Sequence, residues 1–401
     1  VKAIDLHGRP IGRLLLAQQT AEPDAIVDTL MTAAAAMEAR DCVLYLIDYE
    51  HVALMPHPDV LPHGEHPVVA TVDGSMAGRA FQSAAVLAAQ RDDGWHVWVP
   101  VTERTNKLGV LAMTLPEWND ELEFFCTELG HAAAYLVLAS AHYTDLPHLL
   151  RRRKDMDLAA EMQWSLLPPL SFASAGTSLA GLVEPAYEVG GDCFDYAVNN
   201  GVLDLTVVDA MGHGMTSAVL ASLLIGAYRH GRRAGQDLPQ LATSIDAATR
   251  TFPGPPTFAT ALLARLDLRS GVLTWMTCGH PAPLIVRGGT VLPAVDVTPG
   301  VPLGLGALGD VVGTVTDVAL EPGDGILLFT DGVVESRDPD GEYFGEQRLQ
   351  DLFAREHQAG GPPSEVVRRL VRSSVAHART RLRDDATMLY LRWDREDTEV
   401  D

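Results

Sequence analysis

Four stretches of this chain bring an aspartate to the end or the start of a strand, and any fold must accommodate that acid. The run Val202-Leu203-Asp204-Leu205-Thr206-Val207-Val208 alternates, then turns apolar, and delivers Asp209 ahead of the glycine-rich turn Met211-Gly212-His213-Gly214. Gly325-Ile326-Leu327-Leu328-Phe329-Thr330 runs into Asp331-Gly332 in the same way, and Asp384-Asp385 stands directly before the strand Ala386 to Trp393. Gly190-Gly191-Asp192 follows Pro185-Ala186-Tyr187-Glu188-Val189, where paired glycines let the backbone turn sharply. Taken singly, each Asp-Gly or Gly-Asp is an ordinary turn. Gathered at sheet ends, the same residues are hard oxygen ligands, and with no spaced Cys/His set they favour magnesium or manganese over zinc.

The rest of the composition narrows the company these residues keep. A length of 401 residues, 47% hydrophobic and 21% charged, predicts a globular chain of two domains. A net charge of −23 repels a phosphodiester backbone or an anionic membrane, which argues against nucleic-acid and membrane partners. Cys42, Cys126, Cys193 and Cys278 are scattered, at neither zinc-ligand nor redox-pair spacing, and are expected to be reduced and structural. The chain opens on Val1-Lys2-Ala3 without a basic, apolar leader and contains no apolar run of about 20 residues, so a cytoplasmic protein is expected.

Residues 1–141 read as one α+β unit. Ile26, Leu30, Met31 and Ala34 recur at helical spacing ahead of the strand-like run Cys42 to Ile47. Trp95 to Val101 and Leu108 to Met113 bracket a short polar turn and predict a hairpin. Leu122, Phe125, Cys126, Leu129, Ala132, Ala133 and Leu136 then form one helical stripe. Residues 142–170 predict a connector. Thr144-Asp145-Leu146-Pro147 starts a helix, Leu149 to Leu167 carries it with Arg151-Arg152-Arg153-Lys154 on a solvated side, and Pro168-Pro169 stops it. Leu150, Leu158, Met162 and Leu166 need cover, from the next domain or a second copy of the chain.

The order of the first unit, with Gly78-Arg79-Ala80 between its strand sets, resembles a GAF-type sensory domain. A much longer ordered set follows it. Gln163 with Leu166-Leu167-Pro168, Glu188-Val189-Gly190-Gly191-Asp192, Asp209 with Gly212-His213-Gly214, Phe258-Ala259-Thr260, Gly279-His280-Pro281, Pro302-Leu303-Gly304, Pro322-Gly323-Asp324, Thr330-Asp331-Gly332-Val333-Val334-Glu335 and Asp384-Asp385 with Thr387 resemble the bacterial SpoIIE/RsbU branch of the type-2C (PPM) protein phosphatases. The resemblance covers about residues 160–393. It implies an α+β chain of two domains, with a GAF-like sensory domain over 1–141, a helical linker over 142–170 and an α-β-β-α sandwich phosphatase domain over 171–401.

Carried onto this sequence, the resemblance implies that Asp209 bridges two Mn²⁺ or Mg²⁺ ions and that the Ala210 carbonyl completes one site. Asp331 and Asp384 hold the second ion, and Asp192 serves the first directly or through water. Many members of the branch have Gly where this chain has Ala210, a change that a negative φ tolerates. Two cations sharing a carboxylate would acidify a water for in-line attack on a phosphoryl group, with Asp192 and Asp209 at the centre of that chemistry. His213 either protonates the leaving oxygen or serves as a helix-start residue contacting backbone. Asp385 is expected to satisfy backbone donors, and His280, Phe258 and Trp275 are expected to be structural. The expected substrate is a phosphorylated protein, by resemblance a STAS-type anti-sigma-factor antagonist. The first domain is expected to take a small-molecule or protein signal, and the chain to form a homodimer. The rival reading is a catalytically weak, phosphatase-like signalling module.

Overall fold

In the computed structural model, which describes residues 10–57, 64–187, 190–379, 382 and 384–394, the chain divides into two compact units, Val1–Asp155 and Met156–Asp401. The first unit opens with helices α1 (Pro10–Gln18) and α2 (Ile26–Ala34), and α2 ends in a single 3-10 turn. Strands β1 (Arg40–Ile47), β2 (Ala53–His57) and β3 (Ala70–Thr71) come next, followed by α3 (Met76–Ser83). Strands β4 (Leu87–Arg91), β5 (Gly94–Glu103) and β6 (Asn106–Leu115) complete one antiparallel sheet of order β3-β2-β1-β6-β5-β4.

The expected hairpin is β5–β6, which closes at Glu103 opposite Asn106. The expected amphipathic helix is α4 (Asp120–Ser140), capped by the Asn119 side chain on the Leu122 amide. By length and composition α4 could cross a membrane. Its buried residues Cys126, Leu129, Ala133, Ala134, Leu136 and Val137 instead join Leu30, Leu44, Val99 and Leu111 in the core of this unit.

The connector departs from the sequence reading. One helix was expected from Leu149 to Leu167, but two short ones form, α5 (Leu146–Leu150) and α6 (Leu158–Leu166). The basic run between them does not line a solvated helix face. Arg151 stacks over the Tyr49 ring at 4.3 Å and donates to the Ile47 carbonyl at 3.0 Å. Arg153 reaches Glu50 at 2.9 Å and Asp48 at 3.4 Å, and Lys154 reaches Glu50 at 3.0 Å. The β1–β2 turn thus draws the run out of helical geometry. Asp48 is fully buried, accepts from the Val52 and Ala53 amides, and gains its counter-charge from this contact. Asp157 then restarts a helix by capping the Ala160 amide.

The second unit is a two-sheet sandwich. It runs β7 (Ser171–Ser174), β8 (Thr177–Glu184), β9 (Gly190–Asn199), β10 (Val202–His213), α7 (Met215–Arg233) and α8 (Leu238–Thr249). Strands β11 (Ala259–Asp267), β12 (Val272–Cys278), β13 (Leu284–Arg287), β14 (Thr290–Val291), β15 (Thr316–Ala319) and β16 (Asp324–Phe329) follow. The chain ends with α9 (Asp331–Val334), α10 (Glu346–Gln358), α11 (Pro363–Ala378) and β17 (Ala386–Trp393).

One sheet has the order β15-β12-β11-β10-β9 and the other β14-β13-β16-β17-β8-β7. Alternation along the strands splits each sheet between two cores. Inward residues such as Phe194, Leu205, Leu262, Trp275, Ile326 and Leu389 fill the space between the sheets. Outward residues Val208, Leu263 and Met276 pack under α7 and α8, while Leu327, Met388 and Tyr390 pack under α10 and α11. The result is the α-β-β-α arrangement expected, with Trp275 in the core as read.

Candidate active site

The aspartates come together at one end of the sandwich. Asp209 on β10 stands directly opposite Asp192 on β9 in the antiparallel register, and opposite Thr260 on β11. From the other sheet, Thr330 at the end of β16 donates its hydroxyl to Asp192 Oδ2 at 2.6 Å and accepts from the Thr387 amide at 2.9 Å. That anchors Asp331 one residue on, at the first position of α9. Asp385 holds the Asp192 amide through Oδ2 at 3.4 Å, and Asp384 accepts from the Asp385 amide at 3.0 Å. All four sequence-predicted aspartates therefore belong to one cluster, bridged across the two sheets by Thr330.

Their electrostatics are those of crowded anions. Burial first, then the neighbouring charges of Asp331 and Asp384, push the Asp209 carboxyl up to about 7. Burial, Asp209 and Asp385 raise Asp192 well above the usual carboxylate range. Asp331 is raised by burial, then by Glu335 and Asp384. Asp385 is pushed to about 7 by burial, with Asp384 and Asp209 adding. Its expected role does hold as far as the bond to the Asp192 amide goes.

A divalent cation is the group that such a set would accept, since it offers only hard oxygens and its carboxylates already repel one another. Among the described residues no three His, Cys, Asp or Glu side chains are drawn together tightly enough to grip an ion as they stand. The carboxylates are gathered at one end of the sandwich without being closed on a point. Ala210 keeps a negative φ, the condition under which it can replace glycine. Gly191 lies so close to it that a Cβ would come within 2.2 Å of the Ala210 carbonyl oxygen, so only glycine fits there.

Two sequence readings near Asp209 change. The glycine-rich turn expected after it is part of β10, which continues to His213 through an irregularity that pairs His213 with Gly190. His213 is exposed, and α7 starts after Gly214, so His213 is a strand residue and not a helix-start residue. Glu188 and Val189 of the first acidic motif lie outside the described residues.

Residues whose roles the sequence did not disclose complete the surroundings. Gln163 on α6, 3% exposed, donates its side-chain amide to the Asp192 carbonyl, which links the connector's second helix to the cluster. Asp195, on the same strand as Asp192, is 1% exposed and pairs with Arg229 at 2.7 Å and Arg232 at 2.9 Å on α7. Asp246 on α8 accepts from the Gly304 and Gly306 amides at 2.8 and 3.0 Å and fixes the loop that carries Pro302-Leu303-Gly304. Charge in a buried strand was a signal for Asp195, but its partners lie more than 30 residues along the chain.

Residues 199–394 match the family model for Stage II sporulation protein E (SpoIIE). Phosphoserine phosphatase RsbU of Bacillus subtilis is 23% identical over 241 residues, 60% of this chain and 70% of RsbU. Protein IcfG of Synechocystis sp. is 21% identical over 267 residues, 59% of this chain but only 41% of IcfG. Among solved structures, the RsbU and RsbW domains of Rv1364c from Mycobacterium tuberculosis are 28% identical with a TM-score of 0.48, over 55% of this chain and 60% of that one. The SiaA-PP2C domain of Pseudomonas aeruginosa is 24% identical with a TM-score of 0.49, over 59% of this chain and 94% of that one.

Proposed function

With residues 199–394 matching the family model for Stage II sporulation protein E (SpoIIE), we propose that this chain is a metal-dependent protein serine/threonine phosphatase of the PP2C type, acting on a phosphorylated partner protein under the control of its N-terminal unit. One observation carries the reading: Asp209 and Asp192 face each other on one sheet while Thr330, next to Asp331, bonds into the same pair from the other. Asp209, the Ala210 carbonyl, Asp331, Asp384 and Asp192 would together hold the metal. Mn²⁺ or Mg²⁺ bound there would neutralise phosphoryl charge and acidify a water.

The chain's own residues do the remainder. Thr330 and Gln163 orient Asp192 through its carboxylate and its carbonyl, and Asp385 holds its amide. His213, exposed at the end of β10, would give a proton to the departing serine or threonine oxygen. Kinship with RsbU, a phosphoserine phosphatase, supports a phosphoprotein substrate, for which a STAS-type antagonist is our choice.

The N-terminal unit is read as a GAF-like sensor in the cytoplasm. A shallow recess of about 250 Å³ on its sheet, lined in part by Asp41, Tyr45, His96, Trp98 and Thr114, is where we place a small-molecule signal. Leu158 on α6, 66% exposed, supports pairing with a second copy. The decisive experiment measures phosphate release from a phosphorylated antagonist with Mn²⁺, and Mn²⁺ binding by calorimetry, for the wild type and Asp209→Asn. Release that Asp209→Asn abolishes is the expected result. Neither release nor binding would favour the weak, phosphatase-like signalling module.

A further inference from the structure

His280 lies outside the carboxylate cluster, yet it joins the strand ends that carry it. The imidazole follows β12, is 6% exposed, and spans the two sheets. Its Nδ1 accepts from the Thr260 hydroxyl at 2.8 Å, and Thr260 is the register partner of Asp209. Its Nε2 donates to the Phe329 carbonyl at 3.0 Å, and Phe329 is the last residue of β16, two before Asp331.

The ring is held by its turn. Gly279 adopts φ 69°, its amide bonds the Gly300 carbonyl at 2.8 Å, and a Cβ there would come within 2.6 Å of Pro302 Cγ. No other residue type could lead the chain into His280 along this path. Both ring nitrogens are then committed to one neutral tautomer, since Nε2 must carry the proton to meet a carbonyl. Burial pushes the imidazole down to about 4, in keeping with a ring that stays neutral at working pH.

We infer that His280 is a positioning residue for the cation site, a cross-sheet strut that fixes the separation between the strand end bearing Asp209 and the strand end bearing Asp331. The inference rests on the phosphatase reading for its activity arm but not for its metal-binding arm. Thr330 ties Asp192 to β16 on the cluster side, and His280 ties β11 to β16 through its own pair of bonds, so loss of the ring frees one cross-link and leaves the other.

The test compares the full-length wild type with His280→Ala, His280→Gln and Thr260→Val. Mn²⁺ affinity is read by calorimetry, kcat and KM on a phosphoserine peptide, and folding by thermal melting. Glutamine keeps an amide N–H near the Nε2 position. We expect His280→Ala to weaken Mn²⁺ binding at least tenfold and to lower kcat with KM unchanged, while His280→Gln stays within about threefold of the wild type on both. A folded His280→Ala with wild-type Mn²⁺ affinity and kcat would overturn the inference. Equal impairment in His280→Ala and His280→Gln would do the same, because the donor to Phe329 would then not matter. Should His280→Ala fail to fold, Thr260→Val decides, because it removes the hydroxyl bonded to Nδ1, and wild-type Mn²⁺ affinity in that variant refutes the strut. A wild type that binds Mn²⁺ tightly but hydrolyses nothing defeats the phosphatase reading and leaves the metal-binding arm to judge His280.

Discussion

Replacing Asp209 with asparagine should make the metal-free protein more stable while destroying its use of metal. Asparagine has the shape of the carboxyl and none of its charge. In the folded chain the Asp209 carboxyl rises from 3.8 to about 7, by burial and by Asp331 and Asp384. Between those two values the folded protein holds a proton that the unfolded chain has released, so stability falls as pH rises through that window. At 1.36 kcal/mol per unit the cost above pH 7 approaches ~4 kcal/mol. Asp192 and Asp385 carry part of the same repulsion, so a gain of roughly 2–4 kcal/mol is expected from the substitution, or about 4–12 °C in the melting of a unit this size.

The assay is thermal melting of both proteins in EDTA at pH 5 and pH 8, repeated at pH 8 with Mn²⁺. Asp209→Asn should melt higher at pH 8, with a smaller advantage at pH 5. Added Mn²⁺ should raise the wild type by mass action and leave the variant almost where it was. A variant that melts below the wild type in EDTA at pH 8, or an advantage that does not change with pH, would refute the claim that these carboxylates are held together against their own charge.

Other substitutions test the parts separately. Thr330→Val removes the donor to Asp192 and the acceptor for the Thr387 amide; it should cost about 1–3 kcal/mol in denaturant melts and weaken Mn²⁺ binding, and Thr330→Ser should restore both. Gly191→Ala drives a Cβ to 2.2 Å from the Ala210 carbonyl oxygen, and calorimetry should show Mn²⁺ affinity lost even where circular dichroism reports a folded chain. Asp195→Ala strands Arg229 and Arg232 against a buried strand; roughly 3–5 kcal/mol of stability should go, read by urea unfolding. Arg153→Ala removes the connector's contact with Asp48 and one of its two contacts with Glu50; phosphatase rate in the full chain should change while the melting of the second unit does not, and an unchanged rate would remove this contact from any account of control.

What the sequence disclosed and what it withheld divide along chain distance. Asp209, Asp331 and Asp384 were legible because each sits at a strand end marked by a local apolar run, and strand periodicity needs only near neighbours. The role of Thr330 is invisible locally, since its partner Asp192 lies 138 residues away and nothing near Thr330 announces the bond. The break in the connector is hidden for a related reason. Leu149 to Leu167 has helical propensity throughout, but Asp48 and Glu50, about a hundred residues earlier, outbid it for Arg153. At His213 the glycines did signal irregular backbone, and the antiparallel partner Gly190 absorbed it as a strand irregularity where a turn was expected.

The four cysteines bear on experiment in a way that their burial alone does not suggest. Every thiol is free and buried, and desolvation pushes each up to about 12, so in the native chain almost none exists as the thiolate that alkylating reagents and peroxide attack. Cys42 and Cys126 belong to the first unit and Cys193 and Cys278 to the second. Each unit therefore carries a matched pair of silent reporters that answer only when that unit opens. Pulse alkylation followed by peptide mass analysis would read the opening of the two units separately in one sample, with no label added to either.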